Sequence, residues 1–325
     1  MKILYVGGVY ATEYSLYREC QANPNFELVI ACGSSYSLVS REATPGVRNI
    51  TSRSDIDRIK SEFNPDLVLF RGWCPEAGMI QKSEVLWSQE IMATRDDGIR
   101  CSGGGISSIY PNAKANGTIV AYNIKNFAEE TEQHWLPRCV SKHWAHKSET
   151  KDIPFMVATN LPPVKAGGDM KKRSLDILIK PIVEWDASIV HAFSPPYGSF
   201  TYFKKCLKPT FPYHTMTDVM SRVKIYASPT TIWNDSGCIS HKTVHAMACG
   251  SLTITNRYAD IEEILGADGE NLIYSNSPEE TLEKVKYYLE HEAEREAIAE
   301  RGYHFIHNLY NWEKHLTRLY SEVTQ

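Results

Sequence analysis

The sequence predicts two α/β domains, each built on a parallel sheet covered by helices. Short apolar runs alternate with helical stretches over residues 3–70, an order typical of a parallel sheet. The alternation stops over residues 136–152, where Pro137 and many polar residues occur, and it resumes from Pro154. The chain has 325 residues, and a single core stops growing at roughly 250–300 residues. We therefore expect a domain boundary at this break.

The predicted elements of the first half begin with a short buried strand that ends at Gly7. Strands are predicted over residues 3–6, 26–32 and 65–70, with weaker candidates at 90–94 and 118–122, and helices over 12–21 and 54–63. Residues 96–116 are rich in Gly, Ser and Asn and are predicted as a loop. A loop of this length is uncommon in a compact domain unless it has a function.

The second half repeats the alternation and ends in an amphipathic helix. Strands are predicted over residues 154–159, 188–192, 223–228 and 251–255, and helices over 168–179, 240–248, 279–290 and 292–303. The last predicted helix, 307–323, carries apolar residues at helical spacing, namely Leu309, Trp312, Leu316 and Leu319. We place an N-terminal domain at 1–138, a linker at 139–151 and a C-terminal domain at 152–306, and we expect the helix within 307–325 to pack back on the first domain.

The composition is that of an ordinary globular protein and gives no support to a nucleic-acid-binding, zinc-binding or membrane-spanning class. The net charge is −4, with 42% hydrophobic and 23% charged residues, which is typical of a globular protein without the basic excess of most nucleic-acid binders. An average charge still leaves DNA open as a substrate. The eight cysteines form no CxxC pair, and no apolar run reaches the roughly 18 residues that span a bilayer. The N-terminus leads into a strand without a signal-peptide pattern, which predicts a cytoplasmic protein with reduced thiols.

The most informative segment is a strand, a polar loop and a helix. The strand ends at Ser228-Pro229, and the helix begins at Ser240, a residue type that caps helix N-termini. Helix N-termini bind phosphate through backbone N–H groups and the positive end of the helix dipole, and Lys242 would add a cation there. The alternative interpretation is a capped helix with a surface lysine.

A spaced pattern extends from this helix toward the C-terminus. Its members are Ser240, Lys242, Val244, His245, Ala246, Ala248 and Gly250, followed by the acidic stretch Asp260-Ile261-Glu262 and the helix start Ser277-Pro278-Glu279-Glu280. The order and spacing resemble the CgeB-like spore-maturation glycosyltransferase family, whose pattern reads Ser-x-Arg-x-Phe-Glu-Ala-x-Ala-x-Gly. The resemblance covers about 100 residues well and is architectural elsewhere.

The resemblance implies a GT-B fold, in which two Rossmann-like domains face each other across a cleft. It implies transfer of a sugar from a nucleoside-diphosphate sugar, with a UDP-sugar favoured, to a hydroxyl group, without a metal or another cofactor. The family's ribose-binding Glu is His245 here, and its Arg is Lys242. An imidazole can still hydrogen-bond a hydroxyl, but the exchange is also compatible with lost activity. The candidate donor-binding residues are Asn160, Arg173, Ser228, Pro229, Ser240, Lys242, Thr243, His245 and Gly250.

Candidate acceptor residues follow the predicted strands of the N-terminal domain. Gly8 and Tyr10 come after the first strand, and Arg71 follows the strand at 65–70. Asp97, or its neighbour Asp96, is the candidate general base for the acceptor hydroxyl, because a carboxylate at a strand end can accept that proton. The pair lacks the spacer of a metal-binding DxD motif. A plain turn at Asp97-Gly98 and a surface ion pair of Arg71 are the competing interpretations.

Three functional hypotheses remain open from the sequence. The first is a glycosyltransferase acting on a polysaccharide, a small molecule or a hydroxymethylated base in phage DNA. The second is a sugar-nucleotide epimerase of the same fold, which would need paired acids near the sugar. The third is a catalytically degenerate homologue with a structural role, for which the exchange at His245 is the best support.

Overall fold

The computed structural model describes the chain in two compact units. It describes all residues except 34–42, 72–77, 89–91, 96–97, 102–118, 123–124, 131, 160–167, 194–204, 210, 230–238 and 259–260. The N-terminal unit contains Met1–Trp144 together with Tyr310–Gln325, and the C-terminal unit contains Ala145–Leu309.

The N-terminal unit is a parallel sheet with helices. Its strands are β1 (Lys2–Val6), β2 (Glu27–Gly33), β3 (Arg48–Ile50), β4 (Leu67–Arg71), β5 (Val85–Ser88), β6 (Met92–Arg95), β7 (Gly98–Cys101), β8 (Ile119–Tyr122) and β9 (His134–Trp135). Seven of them form one sheet in the order β3-β2-β1-β4-β5-β8-β9, and β6 pairs with β7 antiparallel. Its helices are α1 (Ala11–Ala22), α2 (Arg53–Phe63), α3 (Lys125–Glu130) and the C-terminal α11 (Trp312–Thr324).

The strand predicted at 90–94 is present as Met92–Arg95, but it does not belong to the parallel sheet. The parallel sheet continues through Val85–Ser88 instead, while Met92–Arg95 lies in the separate antiparallel pair. The apolar part of β5 is only Val85-Leu86-Trp87, directly after charged residues, which is too short a run to separate from a loop by pattern. The loop predicted at 96–116 is also interrupted, since Gly98–Cys101 forms a strand.

The C-terminal unit contains a second parallel sheet. Its strands are β10 (Ile153–Ala158), β11 (Val190–Phe193), β12 (Val223–Ser228), β13 (Leu252–Thr255) and β14 (Ile273–Tyr274), in the order β11-β10-β12-β13-β14. Its helices are α4 (Gly168–Leu178), α5 (Lys180–Asp186), α6 (Met216–Met220), α7 (His241–Ala248), α8 (Ile261–Leu265), α9 (Pro278–Glu290) and α10 (Glu292–Leu309). Strand residues such as Phe155, Ile225 and Ile254 are buried in one core, which explains why these strands are apolar runs in the sequence.

The final helix prediction needs one change. A single helix runs from Glu292 to Leu309, so Leu309 belongs to α10 and not to the last helix. The chain then breaks at Asn311, whose side-chain oxygen accepts a hydrogen bond from the Lys314 N–H at 2.9 Å and caps α11.

The C-terminal helix is tied into the N-terminal unit by a buried hydrogen-bond network. The indole N–H of fully buried Trp312 donates to Ser15 Oγ at 3.0 Å, and the backbone N–H of Ser141 donates to the same oxygen at 2.7 Å. Ser141 Oγ donates to Glu19 Oε2 at 2.8 Å. The ring of Trp87 meets that of Trp312 edge-on, with centroids 5.7 Å apart. The segment before the chain leaves this unit, at Ser141, and the segment after it returns, at Trp312, are therefore both held against α1.

A second buried polar contact joins α2 to the sheet. Arg53 forms a bidentate pair with Glu84 at 2.7 Å for each bond, and Lys60 Nζ approaches the same carboxylate at 2.6 Å. The backbone N–H of Gln81 also donates to Glu84 at 2.8 Å. Burial by itself would raise the pKa of Glu84, but these hydrogen bonds outweigh it and hold the pKa below its ordinary value.

We expect Trp312→Ala to lower the free energy of unfolding by about 3–5 kcal/mol, because a large buried ring is lost. Trp312→Phe should cost less, with about 0.5–1.5 kcal/mol attributable to the hydrogen bond to Ser15. Urea unfolding followed by circular dichroism measures both. Trp185→Phe is the control, since Trp185 is 42% exposed and should change stability by less than about 0.5 kcal/mol. Equal effects of the two Phe substitutions would contradict the assigned role of Trp312.

We expect Glu84→Gln to destabilise the protein by about 1.5–3 kcal/mol at pH 7, because charge-assisted hydrogen bonds are lost. The folded-state pKa of Glu84 is lowered from 4.5, so its stabilisation is present above pH 4.5 and is lost as the pH falls through the folded-state value. Melting temperatures of both proteins should therefore converge in acid. Glu129→Gln, which removes an exposed pair with Lys125, should stay within about 1 kcal/mol. If the difference in stability between wild type and Glu84→Gln does not change with pH, the Glu84 carboxylate does not make the assigned charge-assisted hydrogen bonds.

Candidate active site

The strand order of each parallel sheet reverses once, and the place of the reversal is called the switch point. Ligands in open α/β sheets bind at the switch point, beyond the carboxyl ends of the strands. In the N-terminal unit, β1 has β2 on one side and β4 on the other, with β4 next in the chain after β3. In the C-terminal unit the reversal lies between β10 and β12. The residues that follow these four strands are therefore the first candidates for a site in each unit.

At the switch point of the C-terminal unit, β12 is fastened to α7 and β13. Ser228 Oγ and Thr243 Oγ1 share a hydrogen bond of 2.7 Å, and both side chains are buried. Thr255 Oγ1 donates to the carbonyl oxygen of Ser228 at 2.9 Å. These bonds hold the first turn of α7 at the carboxyl edge of the sheet. Two predicted donor-site residues, Ser228 and Thr243, thus contact each other and act on the position of the helix.

The N-terminus of α7 has the predicted cap. Ser240 has extended backbone angles, and its hydroxyl oxygen accepts a hydrogen bond from the Lys242 N–H at 3.3 Å. The side chains of Ser240 and Lys242 are partly exposed in this first turn. The positive end of the helix dipole and a lysine therefore lie together at the switch point, an arrangement suited to phosphate.

His245 lies one turn further along α7 and is fully buried. Its ring centroid is 5.8 Å from that of His241, in an edge-to-face arrangement. The predicted contact of His245 with a ribose hydroxyl stays a prediction.

Gly250 lies at the opposite end of α7 from Ser240, which for eight residues is about 12 Å away. Its φ is +69°, and a Cβ atom there would lie 2.8 Å from Lys147 Cγ. Its carbonyl oxygen accepts a hydrogen bond from Lys151 Nζ at 2.6 Å. This geometry is that of a glycine that ends a helix in the left-handed region. A donor contact by Gly250 stays a prediction.

A polar network beside α7 was missed in the sequence. Asn256 is fully buried directly after β13, where its side-chain oxygen accepts a hydrogen bond from Ser174 Oγ of α4. Its amide nitrogen donates to the carbonyl oxygen of Ser275 at 3.0 Å, and Ser275 Oγ lies 2.8 Å from Thr281 Oγ1 of α9. The network joins α4 and α9 to the carboxyl edge of the sheet. The only sequence signal is a polar residue immediately after a strand.

The structure describes some of the remaining predicted site residues and not others. Arg173 is exposed on α4, and Pro229 follows β12 with partial exposure. Asn160, Asp96 and Asp97 lie outside the described residues.

The switch point of the N-terminal unit brings three predicted residues together. The Arg71 guanidinium lies 4.2 Å from the ring centroid of Tyr10, and its Nη1 donates to the carbonyl oxygen of Gly8 at 3.4 Å. Sequence reasoning missed Glu13, which is 1% exposed and has an oxygen 3.7 Å from Arg71 Nε. The backbone N–H of Tyr10 donates to Glu13 Oε2 at 2.8 Å. An acidic residue three positions after a helix N-cap is the signal that could have identified Glu13.

The described residues contain no group of three or more His, Cys, Asp or Glu side chains placed to hold a metal ion. Cys20, Cys32, Cys139, Cys206 and Cys249 are buried thiols. Burial raises the pKa of Cys20 and Cys249 to about 12, so these two sulfurs are poor thiolate ligands. Among the helices described, none combines the length and apolarity that a membrane span requires.

The fold is shared with solved glycosyltransferase structures at low sequence identity. HepE (Alr3699) from Anabaena in complex with UDP and glucose is 12% identical, with a TM-score of 0.67 and 100% of both chains covered. An alpha-glucosyltransferase in complex with UDP and a 13-mer DNA containing an HMU base is 10% identical, with a TM-score of 0.67 and coverage of 100% of this chain and 99% of that one. A putative UDP-N-acetylglucosamine 2-epimerase from Listeria monocytogenes is 12% identical, with a TM-score of 0.59 and coverage of 98% and 97%.

These similarities confirm the predicted fold class, a GT-B type α/β protein with two Rossmann-like units. Within this class, residues 168–321 match the family model described as Glycosyl transferase-like. The matched segment contains α4, α7, β12 and β13, which build the switch-point site of the C-terminal unit. No curated protein sequence matches the chain significantly.

We expect Gly250→Ala to lower the free energy of unfolding by about 1–2 kcal/mol, because a left-handed conformation is strained for a residue with a Cβ atom. Gly46→Ala is the control for a left-handed glycine with open space around it, as its φ is +90° and no atom lies within 4 Å of the added Cβ. Calorimetry with UDP tests the predicted donor contact at the same time. A loss of UDP affinity in Gly250→Ala supports that contact, and unchanged affinity removes Gly250 from the donor site.

Proposed function

We propose that this protein is a glycosyltransferase that moves a sugar from a nucleoside-diphosphate sugar, with a UDP-sugar favoured, to a hydroxyl acceptor without a metal ion. The observation that supports it most is the capped N-terminus of α7, with Lys242 in its first turn, at the switch point of the C-terminal sheet. The match of residues 168–321 to a glycosyl transferase-like family covers this same segment.

The proposed chemistry needs stabilisation of the leaving group. Breaking the bond between the sugar and the nucleotide leaves negative charge on the diphosphate. The helix dipole and Lys242 would balance that charge, and such electrostatic stabilisation is usually the largest single contribution to catalysis. Ser228 and Thr243 would serve this step through α7, because their mutual hydrogen bond holds the helix at the edge of the sheet.

The choice of a UDP-sugar is supported by proteins of the same fold. HepE was solved with UDP and glucose, and the alpha-glucosyltransferase with UDP. The sequence pattern from Ser240 to Gly250 further supports a place in the CgeB-like group. In that proposal His245 replaces the carboxylate that binds the ribose, so the affinity for the nucleoside part is expected to differ from that of the group.

The acceptor would bind in the N-terminal unit. Asp97, with Asp96 as the neighbouring candidate, is proposed as the base that takes the proton from the acceptor hydroxyl. Gly8, Tyr10 and Arg71 are proposed to line the acceptor site, because they meet at the carboxyl ends of β1 and β4. A hydroxymethylated base remains a candidate acceptor beside a saccharide, since one protein of this fold was solved with DNA containing an HMU base.

A second candidate function is epimerisation of a sugar nucleotide. It is favoured by the similarity to the putative 2-epimerase from Listeria monocytogenes. The two functions differ in their products. Incubation with UDP-glucose and UDP-N-acetylglucosamine, followed by NMR of the sugar nucleotide and mass spectrometry of added polysaccharide, oligosaccharide and HMU-containing DNA acceptors, distinguishes them. A mass increase of one hexose residue with UDP-glucose, or of one N-acetylhexosamine residue with UDP-N-acetylglucosamine, on an acceptor supports transfer. A new sugar nucleotide of unchanged mass supports epimerisation.

We expect Lys242→Ala to weaken the affinity for UDP by about 10- to 100-fold, because a charge-assisted hydrogen bond to phosphate contributes roughly 1.5–3 kcal/mol. Isothermal titration calorimetry measures it. Lys208→Ala is the matched control, because Lys208 is an exposed lysine of the same unit next to the edge strand β11, away from the switch point. Unchanged UDP affinity in Lys242→Ala would show that Lys242 is a surface lysine and would remove it from the proposed site.

A further inference from the structure

The contacts of Glu13 point to a positioning residue in the acceptor site. Glu13 is 1% exposed and has two polar contacts: it accepts a hydrogen bond from the backbone N–H of Tyr10 at 2.8 Å, and it forms an ion pair with Arg71, whose Nε lies 3.7 Å away. Arg71 in turn lies against the ring of Tyr10 and donates to the carbonyl oxygen of Gly8. One carboxylate therefore orients both the backbone and, through the guanidinium, the ring of Tyr10.

The loop before Tyr10 is fixed as well. The hydroxyl of fully buried Tyr5 donates to the carbonyl oxygen of Gly8 at 3.1 Å, and the N–H of Gly7 donates to the carbonyl oxygen of Ala31 at 2.9 Å. Tyr10 keeps a partly exposed ring at the end of this loop, beside the switch point of the sheet. The ring is thus a preoriented apolar face at the position where the fold binds ligands.

The charge of this cluster favours a neutral ligand. Arg71 is 9% exposed and lies next to the Glu13 carboxylate, so it presents little positive charge to a phosphate. Other basic side chains described in this unit also lie within 3.4 Å of a carboxylate oxygen, namely those of Arg48, Arg53, Arg58, Lys60, Lys125 and Arg318. Binding of duplex DNA depends on several cations that neutralise phosphates. The paired side chains named here are poorly suited to contribute to such a set, which favours a neutral ligand.

We propose that Tyr10 is a stacking platform for a neutral sugar ring of the acceptor, and that Glu13, acting through Arg71, is the residue that positions it. The proposal rests on the proposed function and names its acceptor as a carbohydrate and not a nucleic acid. The apolar C–H face of a pyranose ring packs on the face of Tyr10 opposite the Arg71 guanidinium, and the polar groups around the loop remain hydrogen-bonded within the protein. Glu13 itself does not touch the substrate.

The test uses the full chain and two neutral probes, methyl α-D-glucopyranoside and methyl β-D-glucopyranoside. Saturation-transfer difference NMR gives a dissociation constant for each glycoside with the wild-type protein and three variants. Tyr10→Ala removes the platform, and Glu13→Gln keeps an acceptor for the Tyr10 N–H while it removes the charge that holds Arg71. Glu19→Gln is the matched control, a second buried carboxylate on α1 that bonds to Ser141 and not to Arg71.

We expect Tyr10→Ala to weaken glycoside binding by about 10-fold or more, since an aromatic contact is lost, and Glu13→Gln by about 3- to 10-fold. Glu19→Gln should leave glycoside binding unchanged, although both buried substitutions lower the melting temperature. A merely structural role of Glu13 would make the two Glu→Gln variants alike, and that result overturns the proposal. Wild-type protein that gives no saturation transfer with either glycoside also overturns it.

Two parallel measurements keep the conclusions separate. Calorimetry with UDP tests the proposed function, because the donor is assigned to the C-terminal unit. The glycoside titration tests the inference on Tyr10 and Glu13. Fluorescence anisotropy with a 13-mer duplex containing an HMU base, at about 150 mM salt, judges the nucleic-acid acceptor. Duplex binding that Tyr10→Ala weakens, without glycoside binding, would overturn the carbohydrate assignment.

Discussion

The buried hydrogen bonds at Ser15 are the constraint on which the N-terminal unit depends. The chain leaves this unit after Trp144 and returns at Tyr310, so two distant segments must be held against one helix. Ser15 accepts hydrogen bonds from both of them, from Ser141 before the exit and from Trp312 after the return. A buried polar group without a hydrogen-bond partner lowers stability by more than a single hydrogen bond raises it. Alternative packings that break these bonds are therefore unfavourable, so the network specifies one packing. Because Ser15 lies two residues after Glu13 on α1, the same contacts fix the helix that carries Glu13 and the proposed acceptor residues beside it.

The two switch points use different means to present a ligand site. In the C-terminal unit, hydroxyl-to-hydroxyl and hydroxyl-to-carbonyl bonds around Ser228 orient a helix N-terminus. Its backbone groups and a lysine are the proposed phosphate site. In the N-terminal unit, a carboxylate and a guanidinium neutralise each other and orient an aromatic ring. The first arrangement suits a charged nucleotide and the second a neutral ring. This division of charge agrees with a transferase whose donor is anionic and whose acceptor is not.

The sequence predicted the parts of this structure that depend on neighbours in the chain. Buried strands such as β1 and β12 and the cap at Ser240 are local patterns, and the structure has them. Strand β5 was missed because its apolar run is too short, and it is placed by pairing with β4 and β8. The pairing of Glu13 with Arg71 and that of Asn256 with Ser174 were missed because these partners lie far along the chain. Only the position of Glu13 three residues after the helix N-cap is a local signal. The base proposed at Asp97 lies outside the described residues, so its position rests on the sequence alone.

His245, which stands where the resembled family has Glu, lies apart from the proposed phosphate site on the same helix. His245 is fully buried in the middle of α7, whereas the cap at Ser240 and the lysine at 242 lie in the partly exposed first turn. Phosphate recognition by a helix N-terminus depends on backbone N–H groups, and these do not change with the side chain one turn later. The two proposed roles, phosphate binding by the helix N-terminus and ribose binding by His245, are therefore separable in this helix. Under that proposal a change at His245 would alter the nucleoside contact and leave the phosphate site in place, so the exchange by itself gives no reason to regard the protein as inactive.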